Sequence, residues 1–305
     1  MRAVVIGASG QVGGLLLQRC RNNGWECLGT AFQHGSEGLL TLDIRDAHAV
    51  AGCLRDATPD VVFLPAALTF VDYCETHPDE CLAINVEGPA NVARALLAQG
   101  GRLVFYSTDH VFGAREAAYA EDEPAAPLSV YAKSKAAAEE RVRTLLPDGH
   151  LILRTSWVFG PEKQRKNFVY RAVRTLRVGQ ELLAPRDQFG QPTYSVDLAD
   201  TAVAMAERGL RGTFHAVGPA QVTRLQFAQL IARVFGLDGK LIRGVDTPVG
   251  RAVSSPHAPA AGAAPRPLHV ALRRDKLVNA LGRDPIRNPE AALLEMRDGA
   301  AEFRP

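Results

Sequence analysis

The chain has 305 residues and a formal net charge of +2, with 47% hydrophobic and 22% charged residues. That is the composition of a folded globular protein, and so small a charge gives no electrostatic case for nucleic acid or an anionic membrane as partner. No apolar run approaches the ~18 residues of a spanning helix, and the opening segment lacks the pattern of a signal peptide. The five cysteines (Cys20, Cys27, Cys53, Cys74 and Cys81) are odd in number and without Cys-x-x-Cys spacing. They read as reduced thiols of a cytoplasmic protein, not as a disulfide framework or zinc site.

Ala3-Val-Val-Ile6 is a short β-branched run that stops at Gly7-Ala-Ser-Gly-Gln-Val-Gly13, after which Leu15 to Cys20 reads helical. Strand, glycine turn and helix is the order a dinucleotide site requires. Gly7 and Gly10 allow the backbone to approach a pyrophosphate, and Gly13 allows the helix to pack close to the strand. The helix N-terminus offers free N–H groups, which puts Ser9, Gln11 and Val12 beside the cofactor as well. Trp25 to Thr30 predicts a second strand. The residues after it, Ala31, Phe32, Gln33 and His34, include no carboxylate to hold a ribose 2′-hydroxyl. This favours NADPH, with NADH still allowed, although no arginine stands in that stretch either.

Asp43 and Ile44 follow a third apolar run, as an adenine contact or, for Asp43, equally as a turn cap. Asp60 to Ala67 reads as a buried strand ending in small residues, so that Ala66 and Ala67 can lie against a cofactor. Leu103 to Tyr106 predicts another strand, with Thr108 just past its carboxyl end, where ligands of such sheets bind. Tyr131 and Lys135 are four residues apart, hence one turn above each other on a helix. An ammonium beside a phenol is expected to lower the phenol's pKa and make it an acid for a carbonyl oxygen.

Leu151 to Thr155 predicts a sixth strand. Lys163, Arg165 and Lys166 lie in a polar loop that could meet a diphosphate or simply face water. Asn167 to Leu176 is amphipathic at helical spacing, Asp187 to Thr193 is turn-rich and expected across the substrate mouth, and Asp197 and Leu225 open further helices. Thr247 to Pro267, with five prolines and no apolar period, reads as a linker or as a loop over substrate.

Five segments in order, Gly7 to Gly13, Ser107-Thr-Asp-His-Val-Phe112, Tyr131 to Lys135, Leu153-Arg-Thr-Ser-Trp-Val-Phe-Gly160 and Asp187-Gln-Phe-Gly-Gln-Pro-Thr193, resemble the dTDP-4-dehydrorhamnose reductase family of extended short-chain dehydrogenase/reductases. The resemblance runs from Met1 to about Leu281. It implies Tyr131 as proton donor, Thr108 holding the substrate oxygen, and Lys135 on the nicotinamide ribose. It also places His110, Val111, Phe112, Trp157, Asn167 and Arg266 on the substrate side, with Arg266 by the nucleotide. His110 replaces the family's usual Tyr. Leu15 stands where some members carry a magnesium-binding Glu, so no metal is expected.

The fold expected is α/β: a doubly wound parallel, Rossmann-like sheet over residues 1–156, rejoined by about 191–217, with a smaller discontinuous C-terminal lobe over 157–305. The function expected is NADPH-dependent reduction of a 4-keto nucleotide sugar by a cytoplasmic enzyme, with a homodimer allowed for. The same motifs occur in the regulatory β subunit of methionine adenosyltransferase, which leaves an NADP-binding regulatory role without turnover as an alternative. Within enzymes the alternative is an epimerase or dehydratase. A dehydratase should carry an acid pair after Thr108, and here Asp109 is followed by His110.

Overall fold

A computed structural model describes residues 1–33, 37–247 and 264–299. The first part alternates strand and helix: β1 (Arg2–Ile6), α1 (Gln11–Asn22), β2 (Glu26–Ala31), β3 (Leu40–Thr41), α2 (Ala47–Ala57), β4 (Val61–Leu64), α3 (Val71–Thr76), α4 (Pro78–Leu82), α5 (Gly88–Gln99), β5 (Arg102–Thr108), α6 (Val130–Leu145) and β6 (His150–Thr155). The second part runs β7 (Val158–Phe159), α7 (Phe168–Arg177), β8 (Leu182–Pro185), β9 (Phe189–Gly190), β10 (Thr193–Tyr194), α8 (Ser195–Glu207), β11 (Gly212–His215), β12 (Val222–Thr223), α9 (Arg224–Val234), β13 (Ile242–Val245), α10 (Asp275–Leu281) and α11 (Pro289–Gly299).

Among the described residues the main sheet has seven strands in the order β11-β6-β5-β4-β1-β2-β3, every pairing parallel. Parallel strands covered on both faces must be apolar on both, and β1 and β4 are buried almost throughout. Alternation sorts their side chains. Ala3 and Val5 pack with Leu16 and Leu17 of α1 and Leu198 and Ala202 of α8, whereas Val4 and Ile6 pack with Val50, Leu96 and Val142 of α2, α5 and α6. Each such fully buried side chain contributes roughly 1.5–3 kcal/mol as an upper estimate.

A separate core joins α7, α9 and α11 around Phe159, Val169, Tyr194, Phe227, Ile231 and Met296. The chain leaves the main sheet after β6 and returns to it at β11, where Gly212 to His215 pair with Leu151 to Arg154. The strand order reverses between β1 and β4, so a cleft opens at the carboxyl ends of β1, β4 and β5. Most of the segment from Thr247 to Pro267, residues 248–263, lies outside the described residues, as does His34.

Candidate active site

Gly7, at φ +96°, takes a backbone conformation that favours glycine, and a Cβ there would lie 2.9 Å from Ala66 Cβ. A Cβ on Gly13 would stand 2.1 Å from the Gly7 carbonyl oxygen. The turn therefore closes against its own helix and against Ala66, whose N–H donates to the Ile6 carbonyl. Gly10 is the N-cap of α1 and brings no capping side chain, which leaves the first-turn N–H groups available to an anion. This cradle fits a dinucleotide pyrophosphate. Gln11 donates through its side-chain amide to the Gly160 carbonyl at 3.2 Å, tying the turn to the second half of the chain.

At the far edge of the sheet, Asp43 accepts the Arg45 N–H at 2.9 Å and pairs with its guanidinium at 2.7 Å, while Ile44 is buried beneath Gly88. The turn-cap reading of Asp43 is thus present in the structure. No arginine follows β2 directly in the sequence, but one comes near its end from the turn after the neighbouring strand. Arg45 lies over the Phe32 ring, 5.4 Å from its centroid, because β3 runs parallel beside β2.

Ser129 caps α6, accepting the Ala132 N–H at 3.1 Å, and this sets Tyr131 in the first turn with Lys135 one turn on. Thr108 ends β5. Its hydroxyl donates to Asp109 at 3.1 Å and accepts the His110 N–H, and it lies near enough to the Tyr131 phenol to influence its pKa. Asp109 also receives the Ser156 hydroxyl at 2.6 Å. Behind them Asn85 sits in a single π-helical stretch, Ala83–Glu87, and bonds the Leu68 backbone and Ser134, which fixes α6 against the loop after β4.

The electrostatics of the pair differ from expectation. Burial pushes the Tyr131 phenol well above its ordinary value, Thr108 pulls it partly back, and Asp109 adds to the rise. Lys135 is itself brought down by burial to about 7, with Glu139 opposing. Its ammonium stands 4.0 Å from the centroid of the Phe105 ring. Desolvation is thus the largest influence on both groups, and it runs against the expectation that the ammonium lowers the phenol's pKa.

The expected substrate side gathers residues from distant segments. Trp157 adopts φ +41°, unusual for a bulky residue, and its ring lies against Gly190, where a Cβ would come within 2.2 Å. The Arg224 guanidinium stacks on Trp157 at 3.4 Å and faces Phe168 at 4.7 Å. Burial, with Arg171 and Arg266 nearby, lowers Arg224 to about 9. Arg266 pairs with Asp72 at 3.1 Å. Among the described residues no ion pair joins Arg171 or Arg224 to a carboxylate. His110 meets the Tyr131 ring edge-on at 6.1 Å, and its buried Nδ1 has no hydrogen-bond partner among the described residues. Burial and the Arg266 and Arg224 charges hold that imidazole below its usual pKa, with Asp109 opposing.

Three expected substrate residues also have structural roles. Val111 and Phe112 are fully buried in a cluster with Tyr119, Val270 and Leu272, so their side chains are part of the core. Asn167 caps α7 through Val169 and donates to the Gly160 carbonyl at 2.8 Å, which occupies both ends of its amide. Lys163, Arg165 and Lys166 are exposed. Leu15 packs between the two cores. Among the described residues no cluster of His, Cys, Asp or Glu has the makings of a metal site. Arg171 and Arg224 were not singled out in the sequence, because the aromatic stack under Arg224 exists only in the fold.

A doubly wound parallel sheet with a glycine turn after its first strand defines the Rossmann-like dehydrogenase/reductase class. Within it, the chain belongs to the RmlD substrate binding domain family, whose model matches residues 1–299. It is 35% identical over 300 residues to a dTDP-4-dehydrorhamnose reductase of Streptomyces griseus, covering 96% of this chain and 92% of that one. It is 31% identical to methionine adenosyltransferase 2 subunit beta of Danio rerio over 263 residues, 84% of this chain and 80% of that one. A dTDP-4-dehydrorhamnose reductase of Bacillus anthracis, crystallised in complex with NADP, superposes with a TM-score of 0.86 at 27% identity, over 98% of this chain and 99% of that one.

Proposed function

We propose that this protein reduces the 4-keto group of a dTDP-linked deoxysugar, dTDP-4-dehydrorhamnose or a close analogue, at the expense of NADPH. Bound NADPH supplies the hydride. Tyr131 gives its proton to the sugar oxygen as charge develops there, and Thr108, at the end of β5, holds that oxygen. Lys135 holds the nicotinamide ribose and in its charged form adds to that stabilisation. Arg171, Arg224 and Arg266 receive the diphosphate, and the stacked Trp157 forms a wall of the sugar pocket. Residues 1–156 with about 191–217 carry the cofactor, and 157–305 form the substrate lobe.

The observation that carries this reading is the placement of Tyr131, at the start of α6, against the end of β5, where His110, bonded to Thr108, meets its ring edge-on at 6.1 Å. A regulatory subunit has no use for a buried proton donor so placed, although the likeness to the Danio rerio subunit keeps that reading in play. NADPH oxidation against a panel of nucleotide-linked 4-keto sugars decides the matter. Turnover with the dTDP sugar supports the reductase, and tight NADP binding without turnover of any member supports the subunit.

A further inference from the structure

The carboxyl end of β2 is where the adenosine ribose of a dinucleotide comes to rest in a sheet of this order. Phe32 stands there, 48% exposed. β3 pairs with β2 in parallel, Thr30 opposite Leu40 and Ala31 opposite Thr41, and Leu42 N–H donates to the Ala31 carbonyl at 2.9 Å. That register carries the turn after β3 alongside the end of β2. Arg45 on this turn sets its guanidinium over the Phe32 ring, held by Asp43 through Nε at 3.0 Å and Nη2 at 2.7 Å. A guanidinium has five N–H donors, and a bidentate carboxylate uses only part of that fork. The side chain is also fixed in direction by its two neighbours, so little rotamer freedom is left to lose on binding.

We infer that Arg45 is the residue that reads the 2′-phosphate of NADPH, with Asp43 orienting it and Phe32 supporting its plane. This rests on the reading that the protein uses a nicotinamide dinucleotide, and it deepens it. A cofactor without the phosphate leaves Arg45 no new partner, so NADH gains nothing from it. A phosphate dianion beside the fork forms charge-assisted hydrogen bonds, and the 2′-hydroxyl of NADH cannot replace them.

The test is calorimetric titration of the full-length protein with NADPH, NADH and the fragment 2′,5′-ADP, for wild type, Arg45→Leu and Arg45→Lys. Wild type should bind NADPH at least ten times more tightly than NADH. Arg45→Leu should weaken NADPH and 2′,5′-ADP by about 10- to 100-fold, leave NADH within about twofold, and be partly rescued in Arg45→Lys. Equal loss of NADPH and NADH in Arg45→Leu would make Arg45 a plain turn support and overturn the inference, as would no loss at all. Those two results leave the reductase reading standing. Wild type that bound neither dinucleotide would remove both.

Discussion

The two ends of the cleft are built on opposite plans. The glycine turn comes from consecutive residues, Gly7 to Gly13, and works by having no side chains: its fit is decided by backbone packed on backbone and on Ala66. The substrate mouth comes from segments more than a hundred residues apart, and works by crowding side chains, with Arg224 laid on Trp157 and near Arg171 and Arg266. One end is neutral and complete before any ligand arrives. The other holds like charges in a partly desolvated place, an arrangement that a polyanion would relieve. The comparison teaches that the proposed cofactor end is organised by sterics and the proposed substrate end by clustered arginine charge.

The largest effect should come from the junction between them. Tyr131→Phe keeps the ring and removes the proton, so the reduction rate should fall about 10²- to 10⁴-fold while NADPH affinity holds, as read by single-turnover kinetics and titration. An unchanged rate would put the chemistry elsewhere.

Next comes Lys135. Its pKa of about 7 in the folded chain lies below the unfolded value, so between about pH 7 and 10 the unfolded chain binds more protons and stability rises with pH. Denaturant unfolding of wild type relative to Lys135→Met should show that gain, on the order of 3 kcal/mol across the window. A flat difference would mean the ammonium is better solvated than its burial suggests.

Arg224→Met should then raise the KM for the dTDP sugar by about 10- to 100-fold and leave the Kd for NADPH unchanged. Loss of both together would erase the division between the two ends. The smallest effect is expected from the triple change Lys163→Ala, Arg165→Ala and Lys166→Ala, since these exposed cations should shift KM less than about twofold. A tenfold rise would move the phosphate site to that loop.

What could be read from sequence follows the same division. The strands β1, β4, β5 and β6 were legible because strands covered on both faces are apolar runs, and the glycine turn because its geometry demands glycine at fixed spacing. The start of α1 at Gln11 was less so, since two glycines in its first turns hide the helical pattern. Tyr131 and Lys135 were found by helical spacing, yet their pKa directions were not, because burial is a property of the packed site. Arg45 escaped notice because it reaches the end of β2 only through the pairing of β3. Arg224 escaped for a like reason: its neighbours Trp157, Arg171 and Arg266 are far away along the chain. The burial of the Val111 and Phe112 side chains was likewise not legible, because it depends on Tyr119, Val270 and Leu272 packing around them.

Isotope transfer tests the central claim most directly. With NADPH carrying deuterium at the transferable position of the nicotinamide and dTDP-4-dehydrorhamnose as substrate, the product should carry one deuterium at sugar C4, with one NADP formed for each sugar reduced. Product without the label, or NADP bound tightly while the sugar returns unchanged, would contradict it.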